Sequence, residues 1–154
     1  MRGWHARGIV YGTMSPLVLL ADDSPDTRAL FAEYLELCGF RVETAVDGEE
    51  AVRKAEAEWP GVIIMDLAMP RMDGWEAIRR LRADPLTAEI PIVALSAYAF
   101  GEEPERAREA GADMCLSKPC LRRLRGSSAR CSVIPAGRHT EQPSQPVRAS
   151  LAEP

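Results

Sequence analysis

Histidine is scarce in this chain: two occur in 154 residues, His5 and His139, and both stand in unpatterned segments. That leaves too few imidazoles for a histidine-built zinc centre. The four cysteines, Cys38, Cys115, Cys120 and Cys131, include no CxxC pair, and no secretory signal precedes them. A disulfide framework is therefore not expected, and a reducing cytoplasm is the expected location. Cys115 and Cys120 lack the further ligands that a metal site would need. Long hydrophobic runs are missing too. The longest near the start, "LVLLA" at 17–21, is too short for a secretory core or a bilayer span, so a soluble chain with no membrane partner is expected. There is no internal repeat, and the net charge of −4 gives no sign of a nucleic-acid footprint over the whole molecule.

What is present suits one domain of ordinary size: 46% hydrophobic and 27% charged residues, close to globular averages. Charge is unevenly placed. Residues 1–119 carry 13 Lys+Arg against 21 Asp+Glu, a net of −8, and residues 120–154 carry 6 against 2, a net of +4. The chain divides accordingly. Residues 1–15 read as a flexible leader, with Met14 a candidate natural start; residues 16–125 read as the folded domain; residues 126–154 read as a disordered basic tail rich in Pro, Ser and Gly. Arg122, Arg123, Arg125 and Arg130 read as a solvated run in preference to a nucleic-acid contact.

Between Pro16 and Pro119, short β-rich apolar runs alternate with longer amphipathic ones, the pattern of a parallel sheet with crossover helices. Strands are predicted at Leu17–Ala21, Arg41–Ala45, Val62–Met65, Ile92–Leu95 and Met114–Leu116. Several are apolar on both faces, as strands covered on each side must be. A first helix starts at a Ser24 cap with Pro25 behind it, presents Leu30, Tyr34, Leu37 and Cys38, and stops at Gly39. Asp47 caps a second, which runs through Glu58 to Pro60; a third spans Gly74–Ala83 and buries Trp75, Ile78 and Leu81; a charged fourth spans Glu102–Ala110 and stops at Gly111. Trp59 and Trp75 are read as packing residues. After Pro119 only Leu121 and Leu124 precede Gly126 and two serines, so the helix that should close such a sheet is short or missing.

In an open parallel sheet the ligand site lies beyond the carboxyl ends of the strands. Asp22 and Asp23 follow the first strand, Asp66 the third, Ser96 the fourth and Lys118 the fifth. Each has an ordinary explanation alone: acids favour helix N-termini, serines make turns, and lysines are usually solvated. Their joint position at one end of four strands is not ordinary. Three crowded carboxylates call for a compensating cation, and hard oxygen ligands suit Mg²⁺. A carboxylate is also a competent nucleophile toward phosphorus. With strand order 2-1-3-4-5, Asp66 is central and is the natural acceptor.

The segments "LLADDS", "IIMDLAMPRMDGWEAIRRLR", "PIVALSAYA" and "GADMCLSKP" resemble the receiver domain of two-component response regulators, across about two-thirds of the chain. The resemblance implies a flavodoxin-like, doubly wound α/β fold with a five-stranded parallel sheet. It also implies a phosphoacceptor at Asp66, and Mg²⁺ on Asp22, Asp23, Asp66 and the backbone carbonyl of Ala68. Ser96 corresponds to the switch hydroxyl and Lys118 to the ammonium that pairs with a phosphoryl oxygen. A cis bond to Pro119 is implied as well, and Pro70 and Gly74 match the turn that shapes the acidic loop. The implied partners are a histidine kinase or histidine phosphotransfer protein as donor and a downstream protein target.

Departures from the pattern matter. Receiver domains carry an aromatic switch residue three positions before the lysine, and Cys115 stands there. Tyr98 is a partial substitute, or signalling runs through loop movement alone. Ala68 and Tyr98, two residues beyond Asp66 and Ser96, cannot position an attacking water as an amide or carboxylate could, so a long-lived acyl phosphate is expected. The face left by the closing helix needs cover from Leu121, Leu124, Val133 and Ile134 or from a homodimer partner. With 35 residues after Pro119, a stand-alone receiver is expected, not itself an enzyme beyond its own phosphorylation and dephosphorylation. Two alternatives remain: an aspartyl-phosphate phosphatase of the haloacid dehalogenase type, for which Ala68 stands where the second acid belongs, and a scaffold pseudo-receiver, which would need a broken acid site.

Overall fold

In the computed structural model the structure describes residues 15–97 and 101–118. Five strands alternate with four helices: β1 (Leu17–Ala21), α1 (Pro25–Leu37), β2 (Arg41–Ala45), α2 (Gly48–Glu58), β3 (Val62–Asp66), α3 (Gly74–Ala83), β4 (Ile92–Ser96), α4 (Glu103–Ala110) and β5 (Met114–Ser117). All pair in parallel, in the order β2-β1-β3-β4-β5. The doubly wound α/β fold is thus the one expected, with β3, β4 and β5 each one residue longer than predicted. The predicted short or missing closing helix, residues 1–14 of the leader, the basic tail and Tyr98 lie outside the described residues, as do Leu121, Leu124, Val133 and Ile134.

Alternation along the strands divides the core between two faces. Val18, Leu20, Val62, Ile64, Val93 and Leu95 pack on one side, with Phe31 and Leu35 of α1. Leu19, Ala21, Ile63, Met65, Ile92 and Ala94 pack on the other, beneath Ala51 and Ala55 of α2, Ile78 and Leu81 of α3 and Ala107 of α4. β5 is half-buried throughout, with Met114 and Leu116 toward the first face and Cys115 toward the second.

Two helical expectations are corrected. On α1, Leu30 and Leu37 are 51% and 81% exposed, Cys38 is exposed, and the buried residues are Phe31 and Leu35. One helical position is a rotation of about 100°, and the larger Phe31 directs the apolar stripe one step away from the predicted face. Trp59 is not a packing residue: it is 46% exposed and forms the left-handed cap of α2, where Pro60 prevents another turn. The predicted caps are in place. Ser24 Oγ accepts the Thr27 N–H at 3.3 Å and Asp47 Oδ1 the Glu50 N–H at 2.8 Å.

Arg82 ties the α3 side of the sheet together. Its guanidinium donates to the carbonyls of Ala88 and Ile90 at 2.7 Å each, to that of Gly111 at 2.8 Å, and to Asp113 Oδ2 at 2.8 Å. The same Asp113 oxygen accepts the N–H of Ile92, the first residue of β4, at 2.8 Å. One side chain therefore sets how β4 and β5 leave the helical layer.

Candidate functional site: an acidic rim at the strand ends

Sheet register alone brings the candidate residues level. Ala21 pairs with Met65, Asp66 with Leu95, and Ser96 with Ser117. Asp22, Asp66, Ser96 and Lys118 therefore emerge along one rim. The Lys118 N–H donates to the Ser96 carbonyl at 2.7 Å, continuing the β4–β5 ladder one step past the strand.

At the rim, Asp22 and Asp66 are buried and Asp23 is exposed, and one carboxylate oxygen from each lies within 4.8 Å of the other two. Lys118 Nζ reaches across, 2.6 Å from Asp22 Oδ2 and 3.1 Å from Asp66 Oδ2. The remaining oxygens are held by backbone. Asp22 Oδ1 accepts the Ser24 N–H at 2.9 Å, and Asp66 Oδ1 accepts the Ala68 N–H at 3.2 Å. The Ser96 hydroxyl is buried and donates to the Glu103 carboxylate, at the start of α4.

Burial pushes the Asp66 carboxyl above its ordinary range; Lys118 opposes that shift and the neighbouring Asp22 adds to it. Burial alone would lower the Lys118 ammonium, but hydrogen bonds and charge from Asp22 and Asp66 outweigh it and raise it. Three acidic side chains stand around one basic one, an excess of two acids. An all-oxygen donor set with that excess fits a hard divalent cation such as Mg²⁺ and offers nothing to a thiophilic metal. Asp22, Asp23 and Asp66 would hold it.

The loop between β3 and α3 is anchored on both sides. Gly74 lies so close to the end of β3 that a Cβ there would meet the Asp66 carbonyl oxygen at 2.1 Å. The Gly48 N–H donates to the Met72 carbonyl at 3.0 Å, and a Cβ on Gly48 would meet that same oxygen at 2.6 Å. Arg71 lies in the left-handed region at φ 63° and directs its guanidinium onto the buried Asp47 carboxylate, with Nε 2.7 Å from Oδ2. Sequence reasoning read Asp47 as a helix cap alone and missed the Arg71 pair. It also missed Glu103 as the partner of Ser96 and Arg82 as the tie behind the sheet. No periodicity marks such contacts.

The chain is therefore an α/β domain with an acidic, lysine-bridged, cation-competent site at the carboxyl ends of its strands. A family model then matches residues 18–126, the response regulator receiver domain. The gliding motility regulatory protein of Myxococcus xanthus is 43% identical over 101 residues, covering 66% of this chain and 13% of that protein. The transcriptional regulatory protein PrrA of Mycobacterium tuberculosis is 39% identical over 132 residues, covering 79% of this chain and 56% of that protein. The chain thus spans 13% and 56% of the length of these two relatives. Among solved structures, the chemotaxis protein CheY4 of Vibrio cholerae matches with a TM-score of 0.66 and 34% identity, over 73% of this chain and 97% of its own. The receiver domain of the sensor histidine kinase PA1611 from Pseudomonas aeruginosa, solved with a magnesium ion coordinated in its active site cleft, matches with a TM-score of 0.65 and 34% identity, over 71% of this chain and 93% of its own. This chain belongs to the response regulator receiver family of two-component signalling, in which phosphorylation on aspartate is inherent. Among the described residues no helix is long and apolar enough to cross a membrane.

Proposed function

We propose that Asp66 is the phosphoacceptor of this receiver, that Asp22, Asp23, Asp66 and the Ala68 carbonyl hold Mg²⁺, and that Ser96 and Lys118 sense the modified aspartate. The observation that carries the reading is the bridging of Asp22 and Asp66 by Lys118, at 2.6 and 3.1 Å, inside a cluster of three carboxylates. A carboxylate oxygen of Asp66 attacks the phosphorus of a phosphohistidine on a histidine kinase or phosphotransfer protein. The P–N bond breaks, its electron pair stays on the imidazole, and an acyl phosphate forms. Bound Mg²⁺ supplies neutralisation of phosphoryl charge. Lys118 is already within reach of an Asp66 oxygen, so it can pair with a phosphoryl oxygen without a long excursion. Ser96 offers a hydroxyl to another, and the surface around α4 and β5 then changes its affinity for a downstream protein.

In this reading residues 16–125 form the signalling unit, acting in the cytoplasm as a phosphoacceptor whose output is altered partner binding. A phosphatase of the haloacid dehalogenase type needs an acid two residues after the nucleophile, and the exposed Ala68 offers only a methyl group there. The decisive experiment is incubation with Mg²⁺ and acetyl phosphate, followed by intact-mass measurement. One phosphoryl adduct is expected on the parent and none on Asp66→Asn. An adduct retained by Asp66→Asn would refute the assignment.

A further inference from the structure

The structure gives the Ser96 hydroxyl a charged partner that the phosphoacceptor reading does not use. Ser96 closes β4 and is 3% exposed, and its hydroxyl donates to the carboxylate of Glu103, the first residue of α4. The same carboxylate faces Cys115 of β5: after burial, its charge is the next cause that pushes the Cys115 thiol above its ordinary range. Cys115 pairs with Ala94 and Ser117 with Ser96, so Glu103 lies over neighbouring positions of β4 and β5. Glu102, which precedes it, makes no side-chain cap hydrogen bond, so the bond from Ser96 is a side-chain tie between the end of β4 and the start of α4.

We propose that Glu103 is the resting acceptor for the Ser96 hydroxyl, and that a phosphoryl group on Asp66 signals by taking that hydroxyl away and freeing the first turn of α4. The inference rests on the reading of Asp66 as phosphoacceptor. A hydroxyl has one proton to donate, so it can serve Glu103 or a phosphoryl oxygen but not both. Both acceptors are anionic and form charge-assisted bonds of similar strength, so the exchange is a real competition. Glu103 therefore sets the threshold for switching. The device also places the mechanical link between β4 and α4 in a carboxylate, beside the strand position where Cys115 offers too little bulk for an aromatic rotamer switch.

The test is a double-mutant cycle on the full chain, with beryllofluoride and Mg²⁺ as the phosphoryl mimic and amide NMR as the readout. Glu103→Ala removes the competitor, and the apparent affinity for the mimic should rise about tenfold, the worth of one hydrogen bond to a charged acceptor. In a Ser96→Ala background the same substitution should change nothing. Glu103→Gln preserves shape and packing, and should fall between parent and Glu103→Ala. A metal-free readout is independent of the mimic: peptide-resolved alkylation of Cys115 should show its pH midpoint moving down in Glu103→Gln. A parent that binds no mimic overturns the phosphoacceptor reading and this proposal together. A parent that binds it, with Glu103→Ala unchanged or equally effective without the Ser96 hydroxyl, overturns the proposal alone. An unmoved Cys115 midpoint would also count against it, since the carboxylate would not then face β5.

Discussion

Replacing Lys118 by alanine tests the rim most directly, because the lysine is the cation that joins two buried carboxylates. Its Nζ is 2.6 Å from Asp22 and 3.1 Å from Asp66, and the side chains are 24%, 1% and 6% exposed respectively. Breaking a fully buried pair costs about 3–5 kcal/mol and an exposed one about 0–1, so this partly solvated pair should cost about 2 kcal/mol in metal-free protein. For a domain of this size that corresponds to a fall of roughly 10 °C in Tm. The response to Mg²⁺ should run the other way. Losing an ammonium from between two ligand carboxylates removes a competitor, so the variant should bind Mg²⁺ more tightly and recover more stability than the parent at equal concentration. A free cation at about a hundredfold over its Kd stabilises by about 2.7 kcal/mol, well within reach of calorimetry. Scanning calorimetry of both proteins in EDTA and then across a Mg²⁺ series gives both quantities. A variant with the parent's metal-free Tm and the parent's Mg²⁺ increment would show that Lys118 neither bridges the acids nor borders the cation site.

Three further outcomes are expected. Arg82→Ala should lower the urea midpoint by the equivalent of about 3 kcal/mol, because it strands the carbonyls of Ala88, Ile90 and Gly111 and frees Asp113; a change within 0.5 kcal/mol, the ordinary surface range of about that size, would contradict the tie. The Glu50 N–H first, and then the Arg71 guanidinium, hold the Asp47 carboxyl below its ordinary range against the opposing effect of burial. A depressed folded value contributes stability that is present above the unfolded carboxyl pKa of about 4 and is lost as pH falls through the folded value. The stability difference between the parent and Asp47→Asn, from urea titrations, should therefore be constant above about pH 5 and shrink below about pH 4; a difference that grows on acidification has the wrong sign. Finally, Ala68 gives an attacking water no polar partner, so the acyl phosphate should outlast the seconds scale after donor removal, as read by mass spectrometry, and complete loss within seconds would count against that expectation.

Most of the sheet was legible because β1, β3 and β4 are short apolar runs bounded by a turn residue or an acid, and because parallel strands covered on both faces need no alternation to be recognised. Helix limits were legible from Ser24, Asp47, Pro60 and Gly111, whose preferences are local. The buried face of α1 was not. Leu30, Phe31, Tyr34, Leu35 and Leu37 allow two overlapping stripes, and only packing on Val18, Leu20 and Val62 selects Phe31 and Leu35. Trp59 misled for a related reason: its size argues for burial, whereas its position before Pro60 requires a cap.

The contrast within the site has the same origin. Asp22, Asp66, Ser96 and Lys118 could be found because parallel register converts "last residue of a strand" into "same edge of the molecule", a translation that needs no side-chain detail. The residues that hold this edge in shape obey no such rule. Arg71 reaches Asp47 across 24 positions and Arg82 reaches Asp113 across 31, and neither spacing is a period of any regular element. Glu103 is the most telling case. In sequence it is one acid among Glu102, Glu103, Glu105 and Glu109 on a charged helix, and nothing local distinguishes it. It acquires a role because β4 ends in a hydroxyl directly beneath the first turn of α4, and a buried hydroxyl must find an acceptor. Chemistry carried by strand ends is therefore written in the order of the chain, whereas control of that chemistry is written in contacts that exist only once the layers have packed.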